Sequence, residues 1–77
     1  MSRLRLVPYR ILARIAEAVG FKWVRQEGSH NTFRHADGHI VVIPDHGAQV
    51  IVRPLLRRIL RDLELTPEEY NQLLEQL

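Results

Sequence analysis

A histidine that directly follows a Gly-Ser pair is the first feature of this chain that could do chemistry. The segment is Gln-Glu-Gly-Ser-His and ends at His30. An unperturbed imidazole titrates near a pKa of roughly 6.5, so it can take up or release a proton at cellular pH. Gly28 lets the backbone turn sharply before His30, which can then project from the edge of a strand. On residue chemistry alone, an ordinary surface histidine after a turn is the simpler interpretation.

Three further histidines lie downstream and offer less defined chemistry. His35 and His39 flank an Asp-Gly turn, and His46 lies in a Pro-Asp-His-Gly loop. The spacings between the four histidines match no common zinc arrangement, and the chain has no cysteine. We therefore predict no metal site. His46 is a candidate for a second proton-transfer group or an RNA contact, and its alternative is a loop residue that hydrogen-bonds its own backbone.

The charge distribution points to an anionic partner. Residues 1–61 hold eleven basic and four acidic residues, a formal charge of +7, whereas residues 62–77 hold five acidic residues and no Lys or Arg. Ten of the eleven basic residues are Arg, which favours bidentate phosphate recognition and stacking on bases. The alternative cause is a high-GC genome or a stability bias toward Arg. Near His30 the candidate cations are Lys22, Arg25 and Arg34, and a later helix carries Arg57, Arg58 and Arg61.

The elements that must position these residues follow from hydrophobic periodicity and turn signals. Pro8 precedes an amphipathic stretch that ends at Gly20, Pro54 opens a second one, and Thr66-Pro67 opens a third with a capping-box Glu69. Between them lie three β-prone runs. The pattern predicts helices over 9–19, 54–63 and 67–77, and strands over 21–26, 30–35 and 39–43.

This order predicts an α+β fold. A three-stranded antiparallel sheet with its helices on one face, α-β-β-β-α plus a short C-terminal helix, buries the apolar stripes economically and resembles a double-stranded-RNA-binding domain. Residues 1–77 are long enough for one domain and too few for a second core. No apolar run approaches the roughly 18 residues of a membrane span, and the basic start lacks the apolar region of a signal peptide. A cytoplasmic location is expected.

Five short segments in order resemble the HicA (YcfA-like) family of mRNA interferase toxins from HicA–HicB toxin–antitoxin pairs. Together they span roughly residues 9–65. The chain departs from the family pattern at Asn31, where a second His or an aromatic residue is often found, and at Pro54-Leu55, where Gly-Thr is common. The matching segments are Gly20-Phe21, Arg25 to His30, Phe33 to Gly38, Val42 to Gly47 and Leu56 to Leu60.

The resemblance implies a function and a site. A HicA-like toxin cleaves mRNA without a metal or other cofactor and is neutralised by a HicB-like antitoxin that covers the active-site region. His30 would be the catalytic residue, with Gly28 and Ser29 shaping its turn. RNA would be bound by Lys22, Arg25, Arg34 and His46. The arginines of the second helix would contact phosphate or the antitoxin. Their alternative is a solvated helix face with ion pairs such as Arg58 to Asp62.

Two other readings remain open from the sequence. One is an RNA-binding module of the same fold that lacks catalysis. The other is a protein-interaction domain whose basic face meets only an acidic partner.

Overall fold

The computed structural model describes residues 3–77, so the first two residues of the predicted domain lie outside the described part. The elements follow the order α-β-β-β-α-α, which confirms the predicted α+β fold. Their bounds are α1 Tyr9–Ala18, β1 Phe21–Glu27, β2 His30–His35, β3 Ile40–Pro44, α2 Arg53–Asp62 and α3 Pro67–Gln76. The third strand is shifted by one residue from its prediction and includes Pro44, which lies at the end of an edge strand where no further ladder donor is needed.

The sheet is an antiparallel meander in the order β1-β2-β3. Phe33 pairs with Val41 and Asn31 with Ile43, and these four side chains are buried beneath the helices. Because side chains alternate along a strand, His30 and its neighbours two and four residues along β2 point to the other face. That outer face is open to solvent.

Local sequence signals mark the end of α1 and the start of α3. Gly20 follows α1 with a φ of 96°, the left-handed conformation typical of a residue just past a helix. Thr66 and Glu69 form the predicted capping box of α3, in which Glu69 N–H donates to the Thr66 hydroxyl and Thr66 N–H donates to the Glu69 carboxylate. None of the helices within residues 3–77 is long and apolar enough to cross a membrane.

Residues before α1 form an extended arm that is fastened along its length. Ile51 N–H donates to the Val7 carbonyl (2.9 Å), and the Arg53 guanidinium donates to the Leu4 carbonyl (2.9 Å). The hydroxyl of Tyr70, which is fully buried, donates to the Arg5 carbonyl (2.6 Å). The arm therefore links α2 and α3 to the body of the fold.

Candidate functional site

His30 is the first residue of β2 and is exposed on the outer face of the sheet. It pairs with Glu27 across the β1–β2 turn and with Pro44 at the end of β3. Gly28 adopts a φ of 58°, and a Cβ there would meet nothing within 4 Å, so the turn needs glycine for its backbone conformation and not for space. The structure thus places the Gly-Ser-His segment as the sequence predicted.

The turn before His30 is fixed from three sides. The Gln26 amide donates to the Gly28 carbonyl (2.9 Å), and the Asn31 amide donates to the Ser29 carbonyl (3.3 Å). The backbone N–H of Asp45 donates to the same Ser29 carbonyl (2.7 Å). Because the Ser29 carbonyl accepts from both Asn31 and Asp45, the start of β2 and the end of β3 are held together beside the imidazole of His30.

Asn31, where the chain departs from the family pattern, is a structural residue in this fold. It is only 3% exposed and, apart from the tyrosine Tyr70, is the sole buried polar side chain among residues 3–77. Its side-chain oxygen accepts from the indole N–H of Trp23 (2.9 Å), while its amide holds Ser29. A buried amide with both ends satisfied carries little desolvation cost.

A groove of about 380 Å³ lies between β3 and α2, with His30 at one end. Its polar lining consists of His30, Arg58 and Asp62. The remaining walls are apolar, and the groove is open to solvent. These apolar residues are Ile40, Val42, Pro44, Leu55 and Ile59.

The order of residues along the groove follows from the direction of α2. Glu64, just after α2, lies 3.1 Å from the imidazole of His39, just before β3, so the C-terminal end of α2 lies beside the start of β3. The helix therefore runs antiparallel to the strand. His30 stands at the Pro44 end of the groove and Asp62 at the Ile40 end, and the strand between these two ends is about 13 Å long. Arg58 lies between them, one helical turn before Asp62.

Arg58 is the cation that the structure brings to the same groove as His30. Arg58 and Asp62, both within the described residues, do not form the ion pair that the alternative of a solvated helix face would contain. Arg57 and Arg61 lie on the opposite flank of α2, where they line a separate cavity of about 300 Å³ with Leu4 of the arm. The three arginines therefore belong to two surfaces.

The other predicted cations lie farther from His30. Lys22 and Arg34 are paired neighbours on the outer face of the sheet, and Arg34 is about 13 Å along β2 from His30. Arg25 follows a β-bulge and donates to the Glu27 carboxylate (3.1 Å) at the surface. Only Lys22 and Arg34 remain as unpaired positive charge on that face, within the described residues.

His46 is exposed in the loop after β3 and is not among the residues that line the groove. Its carbonyl accepts from Gln49 N–H (3.3 Å). The neighbouring Asp45 carboxylate accepts from Gly47 N–H (2.9 Å), which stabilises the loop. The structure does not bring His46 and His30 together in one pocket.

The remaining histidines take part in a network at the β2–β3 hairpin. His39 lies 2.8 Å from the Asp37 carboxylate on one side and 3.1 Å from Glu64 on the other, and these contacts raise the pKa of His39, chiefly through its hydrogen bond with Asp37. The His39 backbone N–H donates to Asp37 and is the main cause that lowers the pKa of that carboxyl. The Asp37 backbone N–H donates to His35 Nδ1 (3.1 Å). Within residues 3–77 no group of three or more His, Cys, Asp and Glu side chains could hold a metal ion.

Comparison with protein families decides the class. Residues 9–65 match the family model described as the HicA toxin of bacterial toxin–antitoxin systems. The chain belongs to the HicA toxin family. The match covers α1 to α2 and leaves the arm and α3 outside it. A search of curated proteins finds no match.

Membership makes this protein a toxin of a toxin–antitoxin system and confirms the resemblance given by the five sequence segments. Sequence reasoning named His30 as the catalytic residue, which stays a prediction, and named Arg58 as one of three equivalent arginines. It missed Asp62 as a groove residue. The apolar stripe of α2 could have separated the arginines into two flanks, but the flank that faces His30 depends on how α2 packs against β3.

Proposed function

We propose that this HicA-family toxin is a ribonuclease that cleaves mRNA in the cytoplasm and uses His30 for proton transfer. The observation that carries the proposal is the exposed imidazole of His30 at the end of a groove that also holds the guanidinium of Arg58. A proton-transfer group and a cation beside one open groove are the groups that cleavage of a phosphodiester requires. The family match supports the same class of protein.

The proposed reaction uses the nucleophile that RNA itself carries. The 2′-oxygen attacks the adjacent phosphorus and gives up its proton, a bond forms between that oxygen and phosphorus, and the bond from phosphorus to the 5′-oxygen breaks. The departing 5′-oxygen takes up a proton, so the products are a 2′,3′-cyclic phosphate and a 5′-hydroxyl. His30 acts either as the base at the 2′-hydroxyl or as the acid at the 5′-oxygen.

Positive charge around His30 would hold the substrate. Arg58 is placed to stabilise the charge that develops on the reacting phosphate, because a flexible guanidinium at the middle of the groove can reach its His30 end. Lys22 and Arg34 on the outer face would contact phosphates farther along the strand, and His46 would contact RNA from the neighbouring loop. The formal charge of +7 over residues 1–61 favours such binding.

Neutralisation by a HicB-like antitoxin is part of the same proposal. An antitoxin that covers the groove would exclude RNA from His30. Arg57 and Arg61, which point away from the groove, are candidates for charged contacts with such a partner.

Purified toxin and a long single-stranded mRNA in the presence of EDTA test the proposal. We expect the wild type to cut the RNA and to leave 2′,3′-cyclic phosphate ends, and His30→Ala to lose about 100-fold or more of the rate, the typical size of a general acid–base contribution. His46→Ala serves as the comparison: its side chain lies outside the groove, so a loss there should appear as weaker RNA binding and leave the rate at saturating RNA unchanged. Nascent 5′-phosphate ends would refute the mechanism. If wild type and His30→Ala bind RNA equally and neither cuts it, the protein is a binding module and the assignment of His30 is wrong.

A further inference from the structure

We propose that the Asp62 end of the groove binds the base of one nucleotide next to the cleaved bond and favours guanine. This inference deepens the proposed ribonuclease function and rests on it. The groove extends beyond the part that a single phosphate beside His30 would occupy, and its volume of about 380 Å³ lies in the usual range of small-molecule pockets, about 300–1,000 Å³.

The chemistry of the groove changes along its length. The His30 end carries a titratable ring, and the middle carries Arg58. Toward Asp62 the walls are the apolar side chains of Ile40 and Ile59. Ile40 is 54% exposed and lies beside Val42 (40% exposed) in the groove wall, so the two form an apolar patch that a flat apolar surface can cover. An unstacked base has such a surface on both faces, and single-stranded RNA is read through bases that leave the stack.

Asp62 supplies the polar contact that such a pocket needs. It is half-buried, and its carboxylate forms no hydrogen bond or ion pair with the residues that the structure describes. It also ends α2, where the negative pole of the helix disfavours an anion. The carboxylate therefore weakens the helix and pairs with no side chain among residues 3–77, as expected for a group whose partner comes from outside.

Asp62 lies at the end of the groove opposite His30, which favours a role in recognising the substrate over proton transfer at the same phosphate. The two ends of the groove are about 13 Å apart along β3, whereas proton transfer requires a group within about 3 Å of the reacting oxygen. Asp62 is thus placed to determine specificity and not to act as the second acid or base.

The preference for guanine follows from the hydrogen-bonding capacity of a carboxylate. An ionised Asp only accepts hydrogen bonds, and its two oxygens suit two neighbouring donors. Guanine presents N1–H and the N2 amino group side by side. Adenine and cytosine offer one amino group next to an acceptor nitrogen, and uracil offers one N–H between two carbonyls. We expect the order guanine, then adenine and cytosine, then uracil.

Cleavage of short RNAs tests the preference directly. Each substrate has one ribonucleotide in a deoxy strand, which fixes the cut, and the base on either side of that bond is varied in turn. We expect the wild type to prefer guanine over uracil at one of the two positions by about tenfold in kcat/KM, the size of a good two-bond base contact. Asp62→Asn, in which an amide donor replaces one acceptor, is expected to abolish this preference. Glu17→Gln on the exposed face of α1 removes one negative charge outside the groove and should retain it.

Binding of mononucleotides separates this inference from the ribonuclease proposal. In His30→Ala protein labelled with ¹⁵N, guanosine 5′-monophosphate should shift the amide signals of Ile40, Val42 and Ile59 more than uridine 5′-monophosphate does, and Asp62→Asn should remove the difference. Cleavage that depends on His30 with equal rates for all four bases overturns the base pocket and leaves the ribonuclease intact. If no RNA is cut, the ribonuclease proposal fails, and the inference is overturned when the two nucleotides shift these amides equally or shift none of them.

Discussion

The hydroxyl of Tyr70 gives a quantitative test of how α3 is attached to the rest of the fold. The Tyr70 side chain is fully buried, and its hydroxyl donates to the Arg5 carbonyl at 2.6 Å. Tyr70→Phe keeps the ring and removes that bond. The loss of one hydrogen bond, with a carbonyl left without its donor, costs about 1–2 kcal/mol. For a domain of this size the expected fall in Tm is about 5–15 °C.

The matched control is Tyr9→Phe. Tyr9 is half-buried in α1, its ring centroid lies 6.4 Å from that of Phe33, and its hydroxyl makes no hydrogen bond to the residues that the structure describes. We expect this variant to differ from the wild type by less than about 0.5 kcal/mol in urea unfolding at pH 7. Equal stability of the two variants would refute the argument that the arm is fastened through Tyr70.

The same hydroxyl predicts a pH dependence of stability. Burial raises the pKa of Tyr70 to about 12, while the charge of Arg5 acts in the opposite direction. A phenol that ionises at a higher pH in the folded state than in the unfolded state stabilises the fold fully below the unfolded pKa near 10. That contribution is lost as the pH rises from about 10 to 12, by about 1 kcal/mol at pH 11. The difference in unfolding free energy between wild type and Tyr70→Phe should therefore shrink between pH 9 and 11, and a constant difference would contradict the raised pKa.

Two further comparisons use pairs of equivalent residues. Gly20 and Gly38 both have φ near 100°, but their surroundings differ: a Cβ on Gly20 would lie 2.9 Å from His35 Nε2, whereas a Cβ on Gly38 would meet nothing within 4 Å. Gly20→Ala should therefore be less stable than Gly38→Ala by at least about 1 kcal/mol in urea unfolding. Arg58→Ala should lower the rate of RNA cleavage about tenfold or more relative to Arg57→Ala, because only Arg58 lines the groove with His30; equal rates would remove Arg58 from the site.

Local signals in the sequence were sufficient for most of the fold. Apolar residues at helical spacing predicted α1 and α2, and the Thr66–Glu69 capping box predicted the start of α3, because each depends on residues within one or two turns. The turn before His30 was equally local. The one-residue shift of β3 reflects Pro44, which stops further pairing but is itself the partner of His30.

The composition of the groove could not be predicted in the same way. His30 and Asp62 are far apart in sequence, and their shared groove depends on the direction of α2 relative to β3. That direction is marked by the contact between His39 and Glu64, which no local pattern connects. The sequence could place Arg58 and Asp62 on one flank of α2, one turn apart, but could not decide which flank faces His30.

The two flanks of α2 have different neighbours. Because of this difference, the arm, which lies outside the family match, affects the position of the groove. On one flank, Arg57 and Arg61 face Leu4 of the arm. On the other flank Arg58 faces the groove. Arg53 at the start of the helix donates to the Leu4 carbonyl, so the arm holds the N-terminal end of α2 from the side away from His30. A helix fixed from one side leaves its other side exposed, and the arm therefore positions one wall of the groove while it lies on the far side of α2.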